Sequence, residues 1–69
     1  MAKVGEITEQ ERLRRRAGLS VTELAQRAGF SHSYVSLVEA GRLRPSARYR
    51  SAVAKVLRVP EAVVFAESA

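Results

Sequence analysis

Cysteine, tryptophan and aspartate are absent from this chain of 69 residues, and histidine occurs once. Without cysteine, neither a disulfide nor a cysteine-ligated zinc ion can stabilise the fold, and a single histidine supplies no ligand set for another metal. We therefore expect no cofactor and no metal. A chain this short buries a small core, so its stability has to come from compact helix packing, which a second copy of the chain can assist.

Long apolar runs are also missing, which bears on where the protein works. No apolar stretch reaches the length that crosses a bilayer, and the N-terminus has no signal-peptide pattern. The sequence predicts one cytoplasmic domain over residues 1–69, with no membrane partner and no evident small-molecule ligand. We expect order from about residue 7 to residue 66 and a flexible arm at residues 1–6.

No residue set in the chain supports catalysis. There is no nucleophile–base set, no carboxylate pair and no phosphate-binding loop. Ser31, His32 and Ser33 follow one another on one predicted helix, so their side chains cannot converge on a reacting group. We therefore expect that the protein is not an enzyme.

Acidic residues are scarce in the middle of the chain, where basic residues concentrate. From Arg12 to Arg58 there are eleven basic residues and only two acidic ones, Glu23 and Glu39, whereas the flanks carry a net charge of −4. Ten of the twelve basic residues are arginine, whose planar guanidinium suits phosphates and base edges. This pattern favours a polyanionic partner; the alternative is charge that only keeps the protein soluble.

Glycine and proline are few and lie at the ends of segments, and no strand-like alternation persists. Residues that favour helix starts recur along the chain, at Thr8, Ser20, Ser31, Ser46 and Pro60. Glycines that favour helix ends follow three of the segments, at Gly18, Gly29 and Gly41. The sequence predicts an all-α fold, a compact bundle of about five short helices, in which helices 2 and 3 form a helix-turn-helix.

The turn between predicted helices 2 and 3 is short, Gly29-Phe30-Ser31, and it lies inside a longer pattern. The run LRRRAGLSVTELAQRAGFSHSYVSLVEAGRLRPS resembles the lambda repressor/Cro-like helix-turn-helix family of bacterial and phage regulators. The matching elements are LRxxxGLS, TELAxxAGxS, YVSxVExG and PS, and the resemblance extends over about residues 8–65. It implies a sequence-specific regulator of transcription that binds double-stranded DNA.

Predicted helix 3 turns a short-chained, uncharged face outward when Val35 and Val38 face the core. Such side chains suit the major groove, where base edges are read at close range. The resemblance implies base reading from the first two positions of this helix and from one position a turn later. We expect the base-reading residues to be His32, Ser33, Ser36 and Leu37. The alternative is an ordinary surface on which Leu37 is simply exposed.

Phosphate contacts give affinity and register without reading sequence, and arginines around helix 3 are suited to them. The expected phosphate-contacting residues are Thr22, Tyr34, Arg42, Arg44, Ser46 and Arg48, with the backbone amide as the donor at Ser46. For Tyr34 two interpretations stay open, a hydroxyl bound to phosphate or a ring that only covers the flank of helix 3.

Four further positions are interpreted through the resemblance. Arg14 and Glu39 are implied to form a structural ion pair, and the helical wheel puts Glu39 about 70° from the buried direction, where a carboxylate needs a partner. Val21 replaces a glutamine that is common in the family, which removes one phosphate clamp. Arg50 stands where relatives carry an apolar residue, and we expect it to extend toward solvent.

A single domain of this size covers one half-site, so useful specificity calls for two copies. Val63, Val64 and Phe65 are consecutive, more than a short helix buries on one face, and the resemblance places a dimer contact there. We expect a symmetric homodimer through these residues, bound as a repressor to an inverted-repeat operator. The alternative is that all three pack inward and leave a monomer.

Two other partner classes compete with DNA. The first is a protein-interaction role, such as an antitoxin that docks an acidic protein partner. The second is RNA, against which the four scattered Phe and Tyr residues argue, because they form no stacking platform.

Overall fold

The computed structural model describes residues 8–65. They form five helices: α1 Glu9–Arg16, α2 Val21–Ala28, α3 His32–Glu39, α4 Ala47–Leu57 and α5 Glu61–Val64. No strand occurs within this part of the chain, and the prediction of an all-α bundle of five short helices is confirmed. The expected flexible arm at residues 1–6 lies outside the described residues.

Helix boundaries follow from local side-chain chemistry. At the start of each of the first four helices, a hydroxyl oxygen accepts a hydrogen bond from the backbone N–H three residues later; the capping residues are Thr8, Ser20, Ser31 and Ser46. At Ser20 the motif is reciprocal, because the Ser20 amide also donates to the Glu23 carboxylate at 2.8 Å. Each such cap contributes about 1 kcal/mol to a helix that is too short to persist alone.

The α2–α3 turn depends on a left-handed residue. Gly29 has φ +79°, a region that costs glycine nothing, and its amide donates to the Ala25 carbonyl at 2.9 Å. The Phe30 amide donates to the same carbonyl at 3.0 Å, and Ser31 then caps α3. Three residues thus turn the chain and bring α3 against α2, which places the helix-turn-helix at the centre of the fold.

The core lies between α2, α3 and α4. Its fully buried side chains are Leu24, Val35, Tyr49 and Val53. Tyr49 of α4 is the centre of an aromatic cluster, with ring centroids 5.0 Å from Phe30, 4.9 Å from Tyr34 and 6.2 Å from Phe65. The rings support α3 from behind, so α3 is held by its inner face and leaves its outer face uncovered.

The three C-terminal residues expected at a dimer interface differ in burial, and the interface itself stays a prediction. Val64 and Phe65, expected at a dimer interface, are buried in the core of the same chain at 3% and 9% exposure, and Phe65 packs edge-on against Tyr49. The reason is that α5 is a single turn, which carries residues 64 and 65 back over the core. Of the three residues only Val63 points outward, at 44% exposure.

Among residues 8–65, no helix combines the length and the apolar character needed to cross a membrane.

Candidate nucleic-acid interface

The exposed face of α3 carries all four residues that the sequence predicts as base readers. Val35 and Val38 are buried, which turns the intervening positions outward. His32, Ser33 and Ser36 are exposed, and Leu37 is the most accessible large apolar side chain of the helix, at 42% exposure. No charged side chain lies on this face. A second surface can therefore approach α3 closely without displacing long charged side chains and the water bound to them.

A loop of arginines runs back along one flank of α3. At one end of the loop the Arg42 amide donates to the Leu37 carbonyl at 2.9 Å. At the other end the Ser46 amide donates to the Tyr34 hydroxyl oxygen at 3.2 Å. The loop is therefore held to α3 at both ends, once by the helix backbone and once by a side chain. Arg42 and Arg44 are exposed on this loop, beside an α3 face that has no charge of its own.

Tyr34 covers the flank of α3, and its expected hydroxyl contact with phosphate stays a prediction. Its ring packs between Phe30 and Tyr49, at centroid distances of 5.1 Å and 4.9 Å, so it does cover the flank of α3. Contacts with Ser46, from the side chain and then from the backbone amide, lower the pKa of the Tyr34 hydroxyl. Since its oxygen accepts from the amide, the hydroxyl hydrogen remains available to donate outward.

The Ser46 backbone amide, which we expected to donate to phosphate, donates within the fold instead. The Ser46 amide donates to Tyr34 and its hydroxyl oxygen accepts from the Tyr49 amide at 3.1 Å. The backbone amide is thus already used within the fold, so a donor to a ligand at this point has to be a hydroxyl hydrogen.

The remaining expected phosphate contacts, Thr22 and Arg48, are both exposed. Thr22 lies in the first turn of α2. The Arg48 guanidinium carbon lies 5.9 Å from the centroid of the Phe30 ring, a cation–π arrangement that restrains the side chain beside the α2–α3 turn. Cations are therefore present at the turn before α3 as well as along the loop after it.

Arg50 is partly exposed, in keeping with a side chain that extends toward solvent, and its guanidinium also has partners within the fold. Its Nη1 donates to the Pro45 carbonyl at 3.0 Å, and its Nε lies 4.0 Å from a carboxylate oxygen of Glu61. It thus joins the end of the arginine loop to α4 and α5. The signal that could have revealed its contact with α5 is the opposite charge of Glu61.

The expected pair of Arg14 and Glu39 is present and is bidentate. Arg14 Nε donates to Glu39 Oε2 at 2.8 Å and Nη2 donates to Oε1 at 3.0 Å, while Nη1 donates to the Leu19 carbonyl at 2.8 Å. Both side chains are at most 10% exposed, and the hydrogen-bonded carboxylate raises the pKa of Arg14. Because Glu39 is the last residue of α3, this pair fixes the C-terminal end of α3 to α1.

Sequence reasoning missed two buried polar residues beside this pair, Gln10 and Tyr49. Gln10 is 3% exposed and donates from Nε2 to Glu39 Oε2 at 3.0 Å. Within residues 8–65, the Gln10 Oε1 and the Tyr49 hydroxyl are buried without a hydrogen-bond partner. Burial raises the pKa of Tyr49, and the neighbouring Gln10 amide acts in the opposite direction. The available signal for Gln10 was its position one helical turn before Arg14.

This architecture defines a helix-turn-helix domain, and comparison with known proteins agrees. Residues 11–65 match a family described as a helix-turn-helix domain, and the chain belongs to that family. Over 52 residues it is 44% identical to proteins named as uncharacterized HTH-type transcriptional regulators, from two strains of Mycobacterium tuberculosis. The match covers 75% of this chain and 37% of each relative, so the chain spans little more than a third of their length.

Proposed function

We propose that this chain binds double-stranded DNA sequence-specifically and regulates transcription, acting as a repressor that occupies an operator. The observation that carries the proposal is the uncharged outer face of α3, supported from behind by the core, together with the exposed Arg42 and Arg44 on a loop that is anchored to α3 at both ends. The names of the relatives, which are transcriptional regulators, support the same function. The protein works by binding, not by catalysis, in the cytoplasm where the DNA lies.

The docking follows that of lambda repressor/Cro-like proteins, with α3 in the major groove. Eight residues of helix span about 12 Å, close to the width of that groove. Leu37 packs on a thymine methyl, His32 donates to a guanine acceptor, and Ser33 and Ser36 bond base edges with less discrimination because a hydroxyl both donates and accepts. These short side chains need the close approach that the uncharged face allows.

In this proposal the groups around α3 bind the phosphate backbone of the DNA. Arg42 and Arg44 bind phosphates along one flank, and Arg48 and Thr22 bind them near the α2–α3 turn. At the start of α4, the hydroxyls of Tyr34 and Ser46 donate to phosphate. These contacts set the register of α3 and supply most of the salt-dependent affinity.

The operator is an inverted repeat bound by a homodimer. The longest dimension of the domain is 28 Å, shorter than the roughly 34 Å of one turn of DNA, so one copy reaches one half-site. Val63, exposed beside the buried Val64, is the residue of the C-terminal trio that remains for contact between copies.

The experiment is selection of bound duplexes from a random pool at ~150 mM salt, followed by sequencing. Recovery of an inverted repeat with half-sites about ten base pairs apart supports both the α3 reader and the homodimer. Enrichment of a single half-site rejects the homodimer alone, and a pool that emerges unenriched rejects sequence-specific binding. A parallel selection uses Arg16→Ala, a substitution at an exposed position of α1 outside the site. It shows how far the loss of one positive charge alone alters the enrichment.

A further inference from the structure

A groove between α2 and α4 forms a second basic surface, separate from the outer face of α3. Its volume is about 390 Å³. The groove is lined by Arg27 of α2 and by Arg48, Ser51, Ala52, Lys55 and Val56 of α4. Arg48 lies at the end next to the α2–α3 turn, and Lys55 lies two helical turns further on, about 10 Å along α4.

The groove carries three cations and no acidic lining residue. Arg27, Arg48 and Lys55 are exposed, and within residues 8–65 none of them belongs to an ion pair. Glu23, one turn before Arg27, binds the Ser20 amide at the start of α2; its pKa is lowered mainly by those Ser20 hydrogen bonds and to a smaller extent by Arg27. The groove therefore keeps a concentrated positive potential, which an anionic ligand relieves.

The floor of the groove differs from its rim. Ala52 and Val56 are half-buried and apolar, whereas the cations stand around them. The volume lies at the lower end of the range of about 300–1,000 Å³ that holds small ligands, which is room for a few side chains. A DNA backbone presents only phosphates and sugars and leaves such a floor unused. A peptide that mixes carboxylates with an apolar side chain uses both parts.

We propose that the α2–α4 groove binds an acidic peptide segment of a protein partner, through carboxylates on Arg27, Arg48 and Lys55 and an apolar side chain on Ala52 and Val56. Arg48 belongs both to this groove and to the phosphate-binding set, so the peptide competes with DNA for one guanidinium. That competition rests on the proposed DNA-binding function; the docking itself does not.

The test is a titration of the ¹⁵N-labelled protein with a synthetic octapeptide in which two leucines are set among six glutamates. Amide shifts are expected at Arg27, Ser51, Ala52 and Lys55. Replacing the leucines by serine is expected to weaken binding by about threefold or more, because the apolar floor is then left uncovered. Shifts confined to α3, or equal affinity for the two peptides, overturn the proposal.

Matched variants separate the groove from general charge. Arg27→Ala/Lys55→Ala is expected to raise the dissociation constant of the leucine peptide by about fivefold or more, since two ion pairs are lost. Arg12→Ala/Arg16→Ala removes the same charge from exposed positions on α1 and is expected to change it less than about twofold. Equal weakening by both double variants overturns the proposal.

DNA binding provides an independent readout. The Arg27→Ala/Lys55→Ala variant is expected to bind the selected duplex within about twofold of the control variant. A much larger loss of DNA affinity, with peptide binding intact, makes the groove a phosphate contact and overturns the proposal. If the selection yields no duplex, the peptide titration, which contains no DNA, still decides the docking.

Discussion

The two faces of α3 have opposite chemistry within one eight-residue helix. The inner face is buried at Val35 and Val38, and the helix ends in Glu39, which accepts hydrogen bonds from Arg14 and Gln10. The outer face has no buried residue and no charge. The side chains that position α3 are therefore different from those that we propose read bases, so substitutions on the outer face can leave the helix in place.

The inner face depends on the buried ion pair of Arg14 and Glu39. Desolvating a guanidinium and a carboxylate is unfavourable, and only the bidentate geometry with the added Leu19 and Gln10 hydrogen bonds offsets it. Such a pair contributes little net stability compared with an apolar replacement, but it fixes the end of α3 in one orientation relative to α1.

The largest expected effect is therefore a loss of stability when the ion pair at the inner face of α3 is broken. Arg14→Ala leaves Glu39 buried with only Gln10 as a side-chain partner, and we expect the free energy of unfolding to fall by about 3 kcal/mol. Urea denaturation measures this change in the free energy of unfolding. Arg15→Ala is the matched control, because its pair with Glu11 is at the surface and is worth at most about 1 kcal/mol. A loss below ~0.5 kcal/mol for Arg14→Ala would show that water already solvates Glu39.

Substitutions on the outer face are expected to change specificity and leave stability almost unaltered. Leu37→Ala removes the proposed apolar contact with a thymine methyl, which costs about 1 kcal/mol of discrimination at that base pair and nothing at the others. Competition binding with single-base variants of the selected duplex measures this. A uniform loss at every position would instead make Leu37 part of a non-specific or protein-binding patch.

The loop beside α3 is expected to behave in the opposite way. Arg42→Ala should weaken binding to all duplexes alike, and the slope of log affinity against log salt should fall by about one. Binding isotherms at several salt concentrations measure the slope, with Arg16→Ala as the control. If Arg42→Ala altered the preferred sequence, the separation between base reading on α3 and phosphate binding on the loop would be wrong.

The sequence predicted what depends on local chemistry. Ser20 with Glu23 is a capping box that is complete within four residues, and the spacing of Val35 and Val38 is enough to turn Leu37 outward. The family resemblance added the pair of Arg14 and Glu39. These features need no knowledge of how distant helices pack.

What the sequence did not predict depends on contacts between distant segments. The burial of Val64 and Phe65 depends on where α5 meets the core, which three consecutive apolar residues do not specify. Arg50 was interpreted through the family resemblance as a cation that extends toward solvent, and its partners within the fold, the Pro45 carbonyl and Glu61, were not foreseen. Spacing within α4 gave no direct sign of either contact.

The smallest expected effect tests the buried hydroxyl of Tyr49. Because burial raises its pKa above the value of about 10 in the unfolded chain, folding favours the protonated phenol. This contribution to stability is complete below pH ~10 and is lost as the pH rises above that value. Tyr49→Phe keeps the ring contacts with Phe30 and Tyr34, removes a hydroxyl that has no partner among the described residues, and should change the free energy of unfolding by less than about 1 kcal/mol at pH 8.

The same variant should also resist alkali better than the unmodified protein. Urea denaturation at pH 8 and at pH 11 gives the loss of stability for each, and Tyr34, present in both, cancels in the comparison. A smaller loss for Tyr49→Phe is expected, because it has no phenol to ionise on unfolding. Equal losses would mean that the Tyr49 hydroxyl is hydrated and that the aromatic support behind α3 is less closed than its burial indicates.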